Sequence, residues 1–214
     1  MTSIGVVFDC DGTLVDSEPL AGEAWRRILA RHSYELTTAD LSACVGRSYA
    51  HTHAYLAGRA PLPDADAVWE LYSRELFGLI DTRLRPFEDA LEAVRELRER
   101  GVAVAVASSS VRERLDRTLA RAGLAFEITL AGDEVEHGKP APDMYLEAAR
   151  RLGVERCVAV EDSAPGVASA LAAGMPVLGV RRDGLGDLSA ATRVVETVTA
   201  DAILGLLDDT RRAH

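Results

Sequence analysis

Apolar and polar positions change rhythm along this chain. Gly5, Val6, Val7 and Phe8 form an unbroken apolar run, as in a strand buried on both faces, and it leads directly into Asp9, Cys10, Asp11, Gly12 and Thr13. From about residue 18 to 80 apolar residues recur at helical spacing, which predicts helices over 20–32, 38–44, 49–58 and 65–80 with no strand among them. Turn residues such as Gly46, Arg47 and Ser48 separate these segments. From Pro86 onward, helical patterns over 87–100, 111–122, 144–152 and 165–173 alternate with strand-sized apolar runs at 102–107, 128–131, 157–160 and 176–180. Gly184 to Gly186 reads as a turn. Such alternation predicts an α/β fold, a parallel sheet covered on both faces.

The economical solution is one α/β core made of residues 1–16 and 83–214, interrupted by an all-helical insertion over 17–82. The insertion begins just after the two aspartates. A helical module hinged there can close over the strand ends as a lid.

Gly12 lets the chain leave the sheet immediately after Asp11, so Asp9 is expected at the carboxyl end of a buried strand. Open α/β sheets bind ligands at that edge. Two carboxylates this close repel unless a cation or a shared proton lies between them. From this stretch alone, a hard-metal site and an ordinary strand exit fit equally. Cys10 lies between them in sequence but points to the opposite face, into the core.

Later strand ends carry the companions such a site needs. The run 102–107 ends in Ser108, Ser109 and Ser110, where one hydroxyl is expected to cap the next helix and Ser108 to face an anion. The run 157–160 ends in Glu161 and Asp162, a second acidic pair. Between them, Lys139 is the only lysine of the chain, among 24 lysine and arginine residues. Arginine fills every other basic position, so a compact ammonium kept in a loop stiffened by Pro140 and Pro142 points to chemistry near a phosphoryl group and carboxylates. His51 and His53, two apart on one helix, do not make a metal pair, Trp25 and Trp69 read as helix packing, and Arg181 and Arg182 read as solvated.

Composition narrows the choice. With 214 residues, 48% hydrophobic and 27% charged, the chain has a globular profile. No apolar run reaches the ~18 residues of a membrane helix, and no secretory signal pattern is visible, so a cytoplasmic location is expected. A net charge of −10 argues against a nucleic-acid partner. Three scattered cysteines do not suggest disulfides, and no heptad seam suggests assembly, so a monomer is expected.

Together Asp9, Asp11, Gly12 and Thr13, then Ser108, Lys139, and Glu161 with Asp162 make the chain resemble the haloacid dehalogenase-like hydrolases, in particular the β-phosphoglucomutase-like phosphatases with a small helical cap. The resemblance implies a Rossmann-like core and a Mg²⁺-dependent phosphatase acting on a small phosphorylated metabolite. It implies Asp9 as the nucleophile that becomes an aspartyl-phosphate, and Asp11 as acid and then base. Mg²⁺ would be held by Asp9, the Asp11 carbonyl and Asp162, with Glu161 close by or acting through water. Thr13, Ser108, Ser109 and Lys139 would hold the phosphoryl group, and Arg47 and Arg112 are candidate substrate contacts. The related mutases carry a histidine shortly after the hinge where this chain has Ala21 and Gly22, so hydrolysis ranks above phosphosugar transfer. Phosphoglycolate hydrolysis, haloacid dehalogenation and a silent phosphoacceptor module rank lower. Dehalogenases lack an acid at the place of Asp11.

Overall fold

The computed structural model describes residues 3–182 and 186–212, so most of the expected turn at Gly184 to Gly186 lies outside the described residues. Strand β1 (Ile4–Phe8) is followed by four helices, α1 (Glu18–Ala30), α2 (Thr38–Cys44), α3 (Tyr49–Ala57) and α4 (Ala65–Arg83). Then α5 (Glu88–Glu99), β2 (Ala103–Ala107), α6 (Arg112–Ala122), β3 (Ile128–Leu130), α7 (Asp143–Leu152), β4 (Arg156–Glu161), α8 (Ala164–Ala172) and β5 (Val177–Val180) alternate. Two elements stand beyond the last one read from the pattern, β6 (Arg193–Val195) and α9 (Ala200–Arg212). β6 is a three-residue edge strand beginning with an exposed arginine, too short to show a period.

Among the described residues the six strands are all parallel, in the order β3-β2-β1-β4-β5-β6. Chain order reverses between β1 and β4, which makes their carboxyl ends the switch point of the sheet. Alternate residues of β1 go to opposite layers. Val6 and Phe8 join α5, α9 and the inserted helices in one core, while Val7 packs with Met144 and Tyr145 of α7 and Val167 of α8. Cys10 is buried on the Val6 side, as its parity requires.

At the insertion's end of that core, Trp25 stacks on Tyr72 at 4.6 Å and Tyr49 meets Trp69 edge-on at 4.7 Å. The insertion's two connections pair with each other, because Asp16 N–H donates to the Arg85 carbonyl and Phe87 N–H to the Leu14 carbonyl, each at 2.9 Å. This two-stranded hinge attaches the helices beside the switch point. No helix among the described residues is long and apolar enough to cross a membrane.

Candidate active site

The register of the sheet assembles the first cluster. Phe8 pairs with Val160 of β4, and Asp9 N–H donates to the Val160 carbonyl at 2.9 Å. Asp9 and Glu161, each one step further, therefore share the face that carries Val7 and Ala159. The loop after β3 brings Lys139 between them. Its Nζ lies 2.5 Å from Asp9 Oδ1 and 2.6 Å from Glu161 Oε1, and it donates to the Ala107 carbonyl at 3.1 Å. Glu161 is wholly buried, and both its oxygens are occupied. Oε1 also accepts from the Tyr145 hydroxyl at 2.8 Å, and Oε2 accepts from the Asp162 and Ser163 amides and the Ser163 hydroxyl. Glu161 thus anchors Lys139 and the turn after β4.

Asp9, Glu161 and Asp162 each offer a carboxylate oxygen, all within 4.8 Å of one another. Three carboxylates face one ammonium, so two negative charges are left unmatched in a buried place. Burial pushes the Asp9 carboxyl well above its ordinary range, and repulsion from Glu161 and Asp11 adds to this against the pull of Lys139. Burial also raises Asp162, helped by Asp9 and Glu161. Burial works against the charge of Lys139, but Asp9 and Glu161 outweigh it and hold the ammonium firmly protonated. An all-oxygen, anionic donor set with this charge deficit fits a hard divalent cation such as Mg²⁺.

Asp11 belongs to a second cluster. Its Oδ1 accepts from Ser17 Oγ at 2.5 Å and from Arg114 Nη2 at 2.8 Å, and its Oδ2 from Ser110 Oγ at 2.7 Å and Ser108 Oγ at 3.3 Å. Burial alone would raise this carboxyl, but the Arg114 guanidinium and the Ser17 and Ser110 hydroxyls outweigh it and hold it below its ordinary value. Neighbouring carboxylates are thus separated, Asp9 facing Lys139 and Asp11 facing Arg114.

Several expected phosphate contacts are placed differently. The Thr13 hydroxyl is wholly buried and donates to Asp162 Oδ1 at 3.1 Å. Gly12 has φ +82°, and a Cβ there would lie 2.0 Å from Asp162 Oδ2, which is why no side chain stands between the two acidic turns. Ser108 is buried beside Asp11, and Ser109 Oγ reaches the Gly46 carbonyl of the inserted helices at 3.5 Å. None of the serines caps α6. Asp133 does so, accepting from the Arg112 amide at 3.0 Å.

Arg112 is not brought to the site. Its guanidinium is occupied by Asp116, Thr129 and Glu134 on the flank of the sheet. Arg47, by contrast, lines a cleft of about 290 Å³ between insertion and core, with Ser48, His51, Ser109, Glu136 and Lys139. His53 turns the other way, its Nε2 2.9 Å from the Pro63 carbonyl. Arg182, read as solvated, is instead 13% exposed, paired with Asp89 at 2.9 Å and donating to the Thr13 carbonyl at 3.2 Å. Arg114 and Tyr145 escaped the sequence reading, and Ser17 and Ser110 were not singled out as site residues. Arg114 stands two positions from Arg112 on the same helix, and nothing in the sequence says which of the two faces inward.

The chain was compared with known proteins. The family described as haloacid dehalogenase-like hydrolase matches residues 5–174. Fructose-1-phosphate phosphatase YqaB of Escherichia coli K12 is 33% identical over 186 residues, which cover 83% of this chain and 96% of that protein. The chloroplastic protein SUPPRESSOR OF QUENCHING 1 of Arabidopsis thaliana is 36% identical over 82% of this chain, which spans only 18% of that much longer protein. Among solved structures, a HAD family hydrolase from Deinococcus radiodurans R1 with bound phosphate and sodium is 32% identical, with a TM-score of 0.74 and 96% of each chain covered.

Proposed function

The chain belongs to the haloacid dehalogenase-like hydrolase family, and on that premise we propose that it is a Mg²⁺-dependent phosphatase that cleaves a small sugar or polyol phosphate through a phosphorylated Asp9. The observation that carries this reading is the buried cluster of Asp9, Asp162, Glu161 and Lys139 at the switch point of the sheet. Asp9 attacks phosphorus as the bond to the sugar oxygen breaks, and that oxygen takes a proton from Asp11, which is ionised beside Arg114 in the free protein and takes that proton up as the substrate binds. In the second half Asp11 takes a proton from water as the water attacks phosphorus, and the bond to Asp9 breaks to release phosphate. Lys139 keeps Asp9 oriented and supplies positive charge beside the phosphoryl oxygens, while Thr13 and Glu161 hold Asp162 and Lys139 in place. Mg²⁺ bound at Asp9 and Asp162 would neutralise charge on those oxygens. Phosphate monoesters react slowly enough unaided for accelerations of up to ~10²¹, so several fixed charges acting together are needed.

The cleft supports the substrate class. Its volume of about 290 Å³ and its mixture of Arg47, Ser48, His51 and Glu136 suit a hydroxylated, singly phosphorylated molecule. A second phosphate would meet Glu136. The name of the fructose-1-phosphate phosphatase YqaB points to the same class. Absence of the mutases' histidine at Ala21 and Gly22 favours water over a sugar as the acceptor.

The test is phosphate release from a panel of hexose and hexitol phosphates, phosphoglycolate, nucleotides and bisphosphates, with Mg²⁺ and with EDTA. We expect turnover of at least one sugar or polyol monophosphate only with Mg²⁺, and none by Asp9→Asn. Undiminished turnover by Asp9→Asn would remove the nucleophile assignment, and conversion of β-glucose 1-phosphate to the 6-phosphate would favour the mutase.

A further inference from the structure

Asp11 is held at four points, and the four holders are not equivalent. Three are the hydroxyls of Ser17, Ser108 and Ser110, which rotate freely and can exchange one acceptor for another. The fourth, Arg114, is a planar fork whose donors have fixed directions. Ser17 stands on the hinge of the insertion, at the N-cap of α1, whereas Arg114 projects from α6 in the core. The one rigid holder therefore sits on the body that does not move with the lid.

Arg114 also gains little for stability where it is. Its side chain is 15% exposed, Asp11 Oδ1 is the only acceptor it reaches among the described residues, and its buried Nε–H has no partner at all. A desolvated guanidinium with one carboxylate and an unmet donor is a poor stabilising device. The next arginines along the same helix behave otherwise. Arg117 pairs with Asp81 of α4 at 2.7 Å, and Arg121 donates to the Asp81 carbonyl at 2.8 Å, so these two clamp insertion to core. Arg114, one turn earlier, turns inward to the carboxylate assigned to the leaving group.

We propose that Arg114 aims the Asp11 carboxyl at the leaving-group oxygen and so acts as a positioning residue for proton transfer. The proposal rests on the hydrolase reading above. Arg114 does not touch the phosphoryl group in this role. It fixes the direction from which the proton reaches the bridging oxygen as the phosphorus–oxygen bond breaks, and without it the three hydroxyls leave the carboxyl free to turn.

The leaving group separates this role from a structural one. A sugar alkoxide cannot depart without a proton, whereas p-nitrophenolate can, so only the alkyl ester depends strongly on the aim of Asp11. The measurement is kcat/KM, which reports steps up to phosphorylation of Asp9, for the best sugar phosphate and for p-nitrophenyl phosphate. In Arg114→Met the value for the sugar ester is expected to fall about 10²-fold, as displacing a catalytic group by an ångström does. The value for the aryl ester falls roughly tenfold less or better, in line with a lost general acid. In Arg114→Lys, which keeps the charge and loses the fork, the ratio of the two values falls by an intermediate amount. Equal losses on both esters overturn the proposal and assign Arg114 to folding or phosphate binding. An unchanged ratio in Arg114→Lys overturns it even if Arg114→Met does not fold. A wild-type protein that releases phosphate from neither ester overturns the hydrolase reading and this proposal together.

Discussion

At the residue scale, the site depends on groups too close together to tolerate an extra atom. Gly12 combines a φ of +82° with an Asp162 carboxylate 2.0 Å from where a Cβ would stand. Gly12→Ala must therefore push Asp162 aside and strain the backbone, at about 1–3 kcal/mol. We expect the variant to remain folded in a thermal melt while Mg²⁺-dependent phosphate release falls about 10²-fold or more. The residues visible at this scale were those whose sequence context is unusual in itself. Asp9 and Asp11 follow an apolar run directly, and Lys139 has no other lysine for company. Arg114, Tyr145 and Arg182 had no such mark, because an arginine among arginines or an aromatic on a helix looks the same whether it meets solvent, core or a carboxylate.

At the element scale, the inserted helices hold together around a buried polar centre of their own. Asp40 accepts from the Thr37 amide at 3.0 Å, the Thr37 hydroxyl at 2.7 Å, and the Tyr34 and Tyr55 hydroxyls at 2.9 and 3.2 Å, and it pairs with Arg59 at 3.2 Å. Burial alone would raise this carboxyl, but the bonds from Thr37, Tyr34 and Tyr55 outweigh it and lower it. A carboxyl lowered on folding contributes stability that is complete above its unfolded value of about 3.9 and is lost as pH falls through the folded one. Asp40→Asn should therefore lower the urea midpoint at pH 7 by the equivalent of about 1–3 kcal/mol. The gap to the wild type should narrow below about pH 4; a gap that stays constant with pH would show that Asp40 is not ionised in the fold. The four helices were readable because their periodicity is local, and the expected and observed limits of α2 coincide at Thr38–Cys44. The cap of α6 was not, since Asp133 reaches it from another turn.

At the scale of the whole molecule, the parallel sheet brings segments from the start, middle and later half of the chain to one edge, and the insertion rests on that edge. Gly46 of the insertion lies so close to the core that a Cβ there would be 2.4 Å from Ser163 Oγ. The buried charge deficit of Asp9, Glu161 and Asp162 against Lys139 predicts that Mg²⁺ stabilises the entire fold. At a concentration 100 times its Kd a ligand adds about 2.7 kcal/mol, so the melting temperature should rise with Mg²⁺, return with EDTA, and respond less in Asp162→Asn. An identical melt with and without Mg²⁺ would remove the metal from this site.

By itself the sequence determined the elements of the α/β core as far as β5, the place of the four inserted helices and the order of the chemical motifs. Each of these is written in local periodicity or in a short run of unusual residues. Only the tertiary structure decided that β1 lies between β2 and β4, that Thr13 bonds Asp162, that Arg182 reaches the Thr13 carbonyl from beyond the end of β5, and that Arg114 and not Arg112 faces Asp11. Those choices depend on which faces pack and which buried charges find partners, and such contacts join residues whose separation along the chain carries no periodic signal.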